Sequence, residues 1–419
     1  MQGGFDGPLP GSGASLLFDA FDDEMRRRGL DTVLVIGEST LGNPELAYVT
    51  GTQIPRGGIF LKRIGQRPLL VVSNIDVGSA KRGRIKNVRT YTDYNYEKLV
   101  KLHGRERGYI KFLDLILRSL RTRGDIGIYS RNEFSHLLSV TDSLRRLGYK
   151  VVGETDASLI ESLRETKDPE EIDRIRGVGT RAARVVERML EMLRKCTVSS
   201  GKLRLEHRVL TVGMVKSRIN VLLAEQDLMA PEGTVFAVGP SSADPHQMGI
   251  ASEPIRTGVP IVFDLFPVGT DGYWFDLTRT YVVGKPLPKV KKMFDAVREV
   301  QTKMLDSMGE GTQASKMMNL ACDLFERRRF KTIRAILRGD KDATRVGFIH
   351  SLGHGVGLTI GERPQLSLFS DETLRRGHVV TVEPGLYEPG LGGVRIEDTI
   401  VITKRGIDNL TPLEKEFGI

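Results

Sequence analysis

Two aspartates lie at the ends of apolar, strand-like segments that a turn joins. Asp264 ends the run Pro260-Ile-Val-Phe-Asp, and Asp276 follows Tyr-Trp-Phe on the far side of the turn Gly269–Gly272. A carboxylate in an apolar strand is costly to bury unless a cation, a metal ion or a hydrogen-bond donor pairs with it. One such aspartate is also compatible with a turn cap or a salt bridge. Two on one hairpin favour a cation site.

A pair of histidines stands four residues apart in a glycine-rich segment. His350 and His354 are two of only seven histidines, and glycines occupy positions 353, 355 and 357. Glycines at this density oppose an ordinary helix and allow the backbone to approach a site closely. A lone histidine in an apolar run is usually a core residue, but His354 between two glycines is better explained as a metal ligand.

A second carboxylate hairpin follows near the end of the chain. Glu383 comes directly after Val379-Val-Thr-Val, and Glu397 lies fourteen residues later, across a turn rich in glycine and proline. Residues two apart in a strand share a face, so Arg395 is expected beside whatever Glu397 binds. Taken singly, each glutamate is also compatible with an ion-paired surface position.

Four carboxylates and one imidazole make an oxygen-rich site with enough negative charge for two divalent ions. In paired-metal sites the ions share bridging carboxylates and a bridging water, whose pKa falls far enough to make it a nucleophile near neutral pH. The residues therefore predict hydrolysis. Such ligands suit Mn²⁺, our first choice, and also Fe²⁺ or Co²⁺, with Zn²⁺ possible.

The elements that must position these residues fall into two parts. We predict a flexible Gly/Pro-rich lead-in over residues 1–14, a mixed α/β domain over residues 15–160, and an α+β domain over residues 161–419. The second domain is expected to begin with a long helix, because Asp168-Pro169 and Glu171 form a capping box with proline at the first helical position. A further helix is predicted over residues 203–224.

Composition excludes several classes of protein. The chain has 419 residues, a net charge of +9 and 40% hydrophobic residues, values ordinary for a globular protein. Its apolar runs are too short for a transmembrane helix, so we expect no membrane partner. Two cysteines, Cys196 and Cys322, support neither a disulfide framework nor a cysteine zinc site, which fits a cytoplasmic location. The basic stretches at 81–89 and 326–345 contain acidic residues and lack interleaved aromatics, so nucleic-acid binding is not favoured.

The ordered set Asp264, Asp276, His354, Glu383 and Glu397, each within its local motif, closely resembles the pita-bread metallopeptidases. The nearest branch looks like the Xaa-Pro dipeptidases (prolidases) and Xaa-Pro aminopeptidases. The resemblance implies a creatinase-like N-terminal domain over residues 15–160 and a pita-bread catalytic domain with two metal ions over residues 161–419. It also implies a homodimer that removes the residue before proline from dipeptides or short peptides.

The family roles carry over to particular residues of this chain. Asp264 would hold one metal ion, Asp276 and Glu397 would bridge both, and His354 and Glu383 would hold the other. Glu383 would also move the proton.

Four further residues resemble family residues that line the site. His246 would face the substrate and stabilise the tetrahedral intermediate, and His350 would line the same site. Arg395 matches the arginine beside the bridging glutamate, and Tyr387 is a candidate substrate contact.

Two departures from the family pattern stand out. The aspartates are twelve residues apart instead of the usual eleven, so an extra residue must be absorbed, most simply at the turn Gly269–Gly272. Gly361 replaces a family histidine that helps to stabilise the transition state, and loss of one such donor commonly costs about 10²–10³ in rate. A hydrolase or lyase acting on a non-peptide C–N or C–S bond, and a non-catalytic binding protein, therefore remain alternatives.

Overall fold

The computed structural model describes residues 13–419. The predicted lead-in lies outside the described residues as far as residue 12, and residues 13 and 14 already belong to the first helix. The chain divides into two compact units, Met1–Arg164 and Glu165–Ile419, and each has its own hydrophobic core.

The first unit has a mixed sheet of six strands with helices between them, as the alternating sequence pattern predicts. Its helices are α1 (Gly13–Arg28), α2 (Pro44–Thr50), α3 (Val77–Arg82), α4 (Tyr96–His103), α5 (Arg105–Ser119), α6 (Phe134–Arg146) and α7 (Leu159–Arg164). Its strands are β1 (Thr32–Gly37), β2 (Gly58–Arg63), β3 (Leu69–Val72), β4 (Asn87–Thr90), β5 (Asp125–Ser130) and β6 (Lys150–Val152). The strand order is β4-β3-β2-β1-β5-β6, antiparallel around β2 and parallel elsewhere.

The second unit begins with the predicted long helix. Its helices are α8 (Pro169–Arg194), α9 (Val212–Glu225), α10 (Pro288–Ser307), α11 (Ala314–Arg327) and α12 (Ile333–Leu337). The Asp168 side chain accepts a hydrogen bond from the Glu171 N–H at 2.8 Å, and the Glu171 carboxylate accepts one from the Asp168 N–H at 3.0 Å. The capping box is therefore confirmed. Among the described residues, no helix is both long enough and apolar enough to cross a membrane.

The strands of the second unit form several small sheets. They are β7 (Thr197–Ser199), β8 (Lys202–Leu205), β9 (Arg208–Val209), β10 (Leu228–Met229), β11 (Val235–Val238), β12 (Ile261–Leu265), β13 (Val268–Gly269), β14 (Leu277–Tyr281), β15 (Gly353–Val356), β16 (Ile360–Leu366), β17 (Val379–Val382), β18 (Gly385–Glu388), β19 (Gly392–Arg395), β20 (Asp398–Thr403) and β21 (Gly406–Asn409). The two sheets that carry the predicted site residues have the orders β11-β12-β14 and β16-β15-β17-β20-β21.

The helix predicted over residues 203–224 is wrong in its first part. Glu206 and His207 adopt left-handed backbone conformations, with φ of 48° and 66°, and form the turn between β8 and β9. The helix begins only at Val212, where the Thr211 hydroxyl caps it by accepting the Met214 N–H. The apolar residues before that point belong to strands that pack on the same core, which helical spacing alone does not separate from a helix.

The turn expected to absorb the extra residue between the aspartates forms as predicted. The Gly272 N–H donates to the Gly269 C=O at 3.0 Å, and Gly272 has φ of 89°. Strands β12 and β14 pair without a bulge from Ile261 to Leu265. The longer spacing therefore leaves the ladder that carries Asp264 intact.

Candidate metal centre

The two carboxylate hairpins meet at the backbone of Thr278. Asp264, on β12, pairs with Thr278 on β14, and Asp276 stands just before that strand. Glu397, between β19 and β20, forms a bridge to the other side of Thr278 and donates its N–H to the Thr278 C=O at 3.0 Å. Main-chain pairing thus brings together three of the four predicted carboxylates, and Glu397 comes from a segment more than 100 residues away from the other two.

His354 and Glu383 enter the same site from a neighbouring sheet. His354 lies on β15, and Glu383 follows β17, the strand that pairs with β15. The His354 Nδ1 lies 3.1 Å from the Gly355 carbonyl oxygen, which can only accept, so Nδ1 carries the hydrogen. Nε2 therefore offers its lone pair, and it lies 3.6 Å from both Asp276 Oδ2 and Glu383 Oε1. This orientation is typical of a metal-ligating histidine.

The ligand atoms converge within the span of a metal centre. One atom each from Asp276, His354 and Glu397 lie within 4.8 Å of one another. Glu383 joins this group through its 3.6 Å approach to His354. Asp264 is not one of these three residues, but its charge raises the pKa of Asp276, and the Arg395 guanidinium bonds its carboxylate.

Three buried carboxylate oxygens in this cluster lack a hydrogen-bond partner within residues 13–419. They are Asp264 Oδ1, Asp276 Oδ1 and Glu397 Oε1. A buried carboxylate oxygen with no donor carries a large desolvation cost that a bound cation would offset. Both the donor set and these open oxygens therefore fit divalent metal ions.

Burial and mutual repulsion make the cluster hard to ionise without cations. Burial, and then the charges of Glu397, Asp264 and Glu383, raise the pKa of Asp276. Burial, and then the charges of Glu383 and Asp264, likewise raise the pKa of Glu397. Burial raises the pKa of Glu383 to about 7, although Arg395 works in the opposite direction. The charge of Arg395 therefore does not offset the burial and mutual repulsion of these carboxyl groups.

Arg395 is the cationic centre of the cluster. Its Nη1 donates to the Tyr387 hydroxyl at 2.7 Å, its Nη2 to Asp264, and its Nε to the Thr278 hydroxyl at 3.1 Å. The structure therefore places Arg395 beside Glu397, as the strand spacing predicts, with the Thr278 hydroxyl between the two side chains.

Burial and the charge of Arg395 keep His350 neutral. Its Nδ1 lies 2.8 Å from the Ser351 carbonyl oxygen and carries the hydrogen, so Nε2 accepts from the Tyr387 hydroxyl at 3.0 Å. Burial, and then the charge of Arg395, lower the pKa of His350 to about 3. Both ring nitrogens are therefore engaged with protein groups.

His246 stands apart from this hydrogen-bonded set. It lies exposed on the loop after β11, where its N–H donates to the Asp244 carboxylate at 3.0 Å. No hydrogen bond joins its ring to the candidate ligands among the described residues. Its charge is nevertheless one of the influences that lower the pKa of His350, so the two rings lie within electrostatic range.

Sequence reasoning missed the threonines that form hydrogen bonds with the candidate ligands. The Thr381 hydroxyl accepts the His354 N–H at 3.1 Å and approaches Glu383 Oε1 at 3.5 Å. The Thr399 hydroxyl donates to the Asp276 carbonyl at 2.7 Å. A signal was present, since Thr278 and Thr381 each stand two residues from a predicted ligand on an apolar strand.

Comparison with known proteins places this site in a family. A sequence model of metallopeptidase family M24 matches residues 173–404. The Xaa-Pro dipeptidase of Pyrococcus furiosus is 31% identical over 293 residues, which cover 68% of this chain and 79% of the relative. That of Pyrococcus horikoshii is 29% identical over 94% of this chain and 96% of the relative. The crystal structure of the prolidase from Pyrococcus horikoshii OT3 has a TM-score of 0.73 and 27% identity, and the match covers 96% of this chain and 99% of that one.

Proposed function

The chain belongs to metallopeptidase family M24, and from that premise we propose that it hydrolyses the peptide bond before proline in dipeptides or short peptides. The preference for proline is supported by the relatives named Xaa-Pro dipeptidase, one of which matches 94% of this chain. The hydrolytic chemistry is supported by the site itself.

The observation that carries the proposal is the convergence of open ligand atoms. Asp276, His354 and Glu397 each bring a ligand atom within 4.8 Å of the others, and Asp264, Asp276 and Glu397 each keep one buried carboxylate oxygen without a hydrogen-bond partner among the described residues. Two divalent ions bound there would act as Lewis acids on the scissile carbonyl and lower the pKa of a water molecule. We assign Asp264 to one ion, Asp276 and Glu397 to both, and His354 and Glu383 to the other.

The protein's own groups divide the remaining tasks. We assign to Glu383, whose Oε1 lies 3.6 Å from His354 Nε2, the transfer of a proton to the leaving proline nitrogen. His246, with its exposed ring, is our candidate for contact with the substrate and the developing oxyanion. Arg395 and Tyr387 fix the position of Asp264 and His350 by the hydrogen bonds described above, and a substrate would meet this assembly as one rigid unit.

Three finer assignments belong to the same proposal. We propose Mn²⁺ as the working metal, because four of the five ligands are carboxylates. We propose that the protein is a homodimer. We also propose a reducing, cytoplasmic compartment, which agrees with the two free cysteines.

The proposal is tested by hydrolysis of a Xaa-Pro dipeptide and a Xaa-Pro-Yaa tripeptide. Metal-stripped protein is reloaded with Mn²⁺, Co²⁺, Fe²⁺ or Zn²⁺, and D276A serves as the blank. Cleavage of the dipeptide alone identifies a dipeptidase, and cleavage of the tripeptide identifies an aminopeptidase. Failure to cleave either substrate with two ions bound would refute the preference for proline. A panel of creatine-like substrates would then be the next test.

A further inference from the structure

The hydroxyl of Thr278 lies between the arginine and one carboxylate of the candidate metal centre. Arg395 Nε lies 3.1 Å from Thr278 Oγ1, and Thr278 Oγ1 lies 2.7 Å from Glu397 Oε2. The side chain is fully buried, so water does not compete for these bonds. Thr278 is not one of the expected metal ligands.

The direction of the two hydrogen bonds follows from their chemistry. A guanidinium has only donors, so Arg395 must donate to the hydroxyl oxygen. The single hydroxyl hydrogen of Thr278 is then available only for Glu397, which accepts it on Oε2. Thr278 therefore converts an arginine donor on one side into a hydroxyl donor on the other.

This relay leaves one particular oxygen of Glu397 open. Oε2 is occupied by Thr278, whereas Oε1 is buried and has no hydrogen-bond partner within the described part of the chain. The same division occurs at Asp264, where Arg395 occupies Oδ2 and Oδ1 is open. Arg395, directly and through Thr278, thus fixes which oxygen of each carboxylate is left without a hydrogen-bond partner.

The backbone places Thr278 where only a short side chain can do this. Its main chain pairs with Asp264 on one side and with Glu397 on the other. Its hydroxyl therefore reaches a neighbouring strand with one rotatable bond, and β-branching restricts that bond to few conformers. Valine would fill the same volume without a donor.

We propose that Thr278 is a positioning residue that orients Glu397 for metal binding by passing on the hydrogen bond of Arg395. The proposal rests on the proposed function only in assigning Glu397 to the metal ions. Outer partners of this kind typically change metal affinity by about 10–100-fold when they are removed.

Thr280 provides a matched control on the same strand. It is two residues further along β14, on the same face, and it is equally buried. Its hydroxyl donates to the Arg395 carbonyl and accepts the Arg395 N–H, both at 2.9 Å. T280V therefore also removes a buried hydroxyl beside Arg395, but it leaves the donor to Glu397 in place.

The experiment is a calorimetric titration of metal-stripped protein with Mn²⁺, together with kcat and KM for a Xaa-Pro dipeptide. T278V is expected to weaken binding of at least one ion by about 10–100-fold. T278S and T280V are expected to bind within about threefold of the unmutated chain, because both keep the hydroxyl donor to Glu397. In T278V, kcat should fall more than KM changes at saturating metal, because the hydroxyl acts on a ligand and not on the substrate.

The possible outcomes separate this proposal from the proposed function. Unchanged metal binding in T278V, or an equal loss in T280V, would overturn the role of Thr278. If T278V does not fold, T278A against T278S decides the same question, since these two differ by the hydroxyl alone. An unmutated chain that binds two ions but cleaves no Xaa-Pro peptide would refute the proposed function while leaving the metal-binding result for Thr278 intact.

Discussion

Two adjacent residues, Glu397 and Asp398, are both buried carboxylates, yet their surroundings are opposite. The Asp398 carboxylate accepts four hydrogen bonds, from Arg279, Gln301, Asn409 and Lys415, at 2.7 to 3.0 Å. The Glu397 carboxylate accepts one, from Thr278, and its Oε1 has no partner among the described residues. The protein thus supplies four partners to the Asp398 carboxylate, whereas within the described residues it leaves one oxygen of the Glu397 carboxylate without a partner.

The pKa directions follow this difference. Burial works to raise the pKa of Asp398, but the nearby charges of Arg279 and Lys415 outweigh it and lower the pKa. At Glu397, burial and the neighbouring carboxylates raise the pKa together. A buried charge that has all its partners supports the fold, whereas one that lacks them is held ready for a cation that is not part of the chain.

Removing the charge of Asp276 should strongly lower activity without unfolding the protein. Loss of a group that only orients a metal ligand typically costs up to about 100-fold. Because Asp276 is itself a proposed ligand, D276N is expected to lower kcat/KM for a Xaa-Pro dipeptide by more than about 100-fold. The metal-stripped variant should melt at the same temperature as the stripped unmutated chain at pH 8, or higher, because one repelled charge is gone. A lower melting temperature would show that Asp276 serves the fold.

Removing the charge of Asp398, in contrast, should destabilise the folded protein. D398N leaves Arg279 and Lys415 without their buried counter-ion, so we expect a loss of about 3–5 kcal/mol in the free energy of unfolding. Denaturant unfolding of metal-stripped protein measures it.

D408N supplies the control for this loss. Asp408 forms a half-exposed ion pair with Arg176, which should be worth at most about 1 kcal/mol. A loss no greater for D398N than for D408N would contradict the distinction between the two buried carboxylates.

The pH dependence of stability should reflect the raised pKa of Glu383 in the candidate metal centre. The pKa of Glu383 rises from 4.5 to about 7 in the folded protein, so the folded state takes up a proton more readily than the unfolded one. The resulting penalty is absent below about pH 4.5, grows between pH 4.5 and 7, and is constant above. Stripped E383Q should therefore be more stable than the stripped unmutated chain at pH 8 and equal to it near pH 4. Thermal melts across this range test the sign, and an advantage for E383Q that does not shrink as the pH falls would contradict it.

The smallest effect is expected at Gly361, which belongs to neither network. A Cβ there would meet no atom within 4 Å, but the backbone has φ of 73°, so G361A should cost about 1–2 kcal/mol of stability through strain. Its kcat/KM should stay within about threefold of the unmutated value.

At Gly357 a Cβ would lie 2.3 Å from Glu362 Oε1. The Glu362 carboxylate forms a buried ion pair with Lys167, so it cannot move away easily. G357A should therefore be the more destabilising of the two glycine variants. A larger loss of activity in G361A than in G357A would show that position 361 takes part in catalysis.

Much of the site could be predicted because its residues violate the local pattern. Asp264 and Glu383 end apolar strands, and His354 stands between glycines, so each is costly where it is unless it binds something. The fold class followed from the same strands and from the resemblance, and the match to the prolidase structure confirms the pita-bread architecture.

What the sequence could not supply depends on contacts between distant segments. Nothing local indicates that Arg279 donates to the Glu397 carbonyl and to Asp398, or that the Thr278 hydroxyl reaches Glu397. These bonds exist because the segment before β20 pairs with β14, which lies more than 100 residues earlier in the chain. The sequence predicts a helix from residue 203, where the structure has the strands β8 and β9, because short apolar runs fit both periods until the turn at Glu206 is known.

A calorimetric titration of stripped protein with Mn²⁺ near pH 7, in two buffers of different ionisation enthalpy, tests most directly whether divalent ions complete the open carboxylate cluster. We predict two ions per chain with release of protons, because the raised pKa values of Asp276, Glu383 and Glu397 leave protons for the metal to displace. D276N should lose at least one of the ions. Absence of binding, or binding that D276N leaves unchanged, would contradict this prediction.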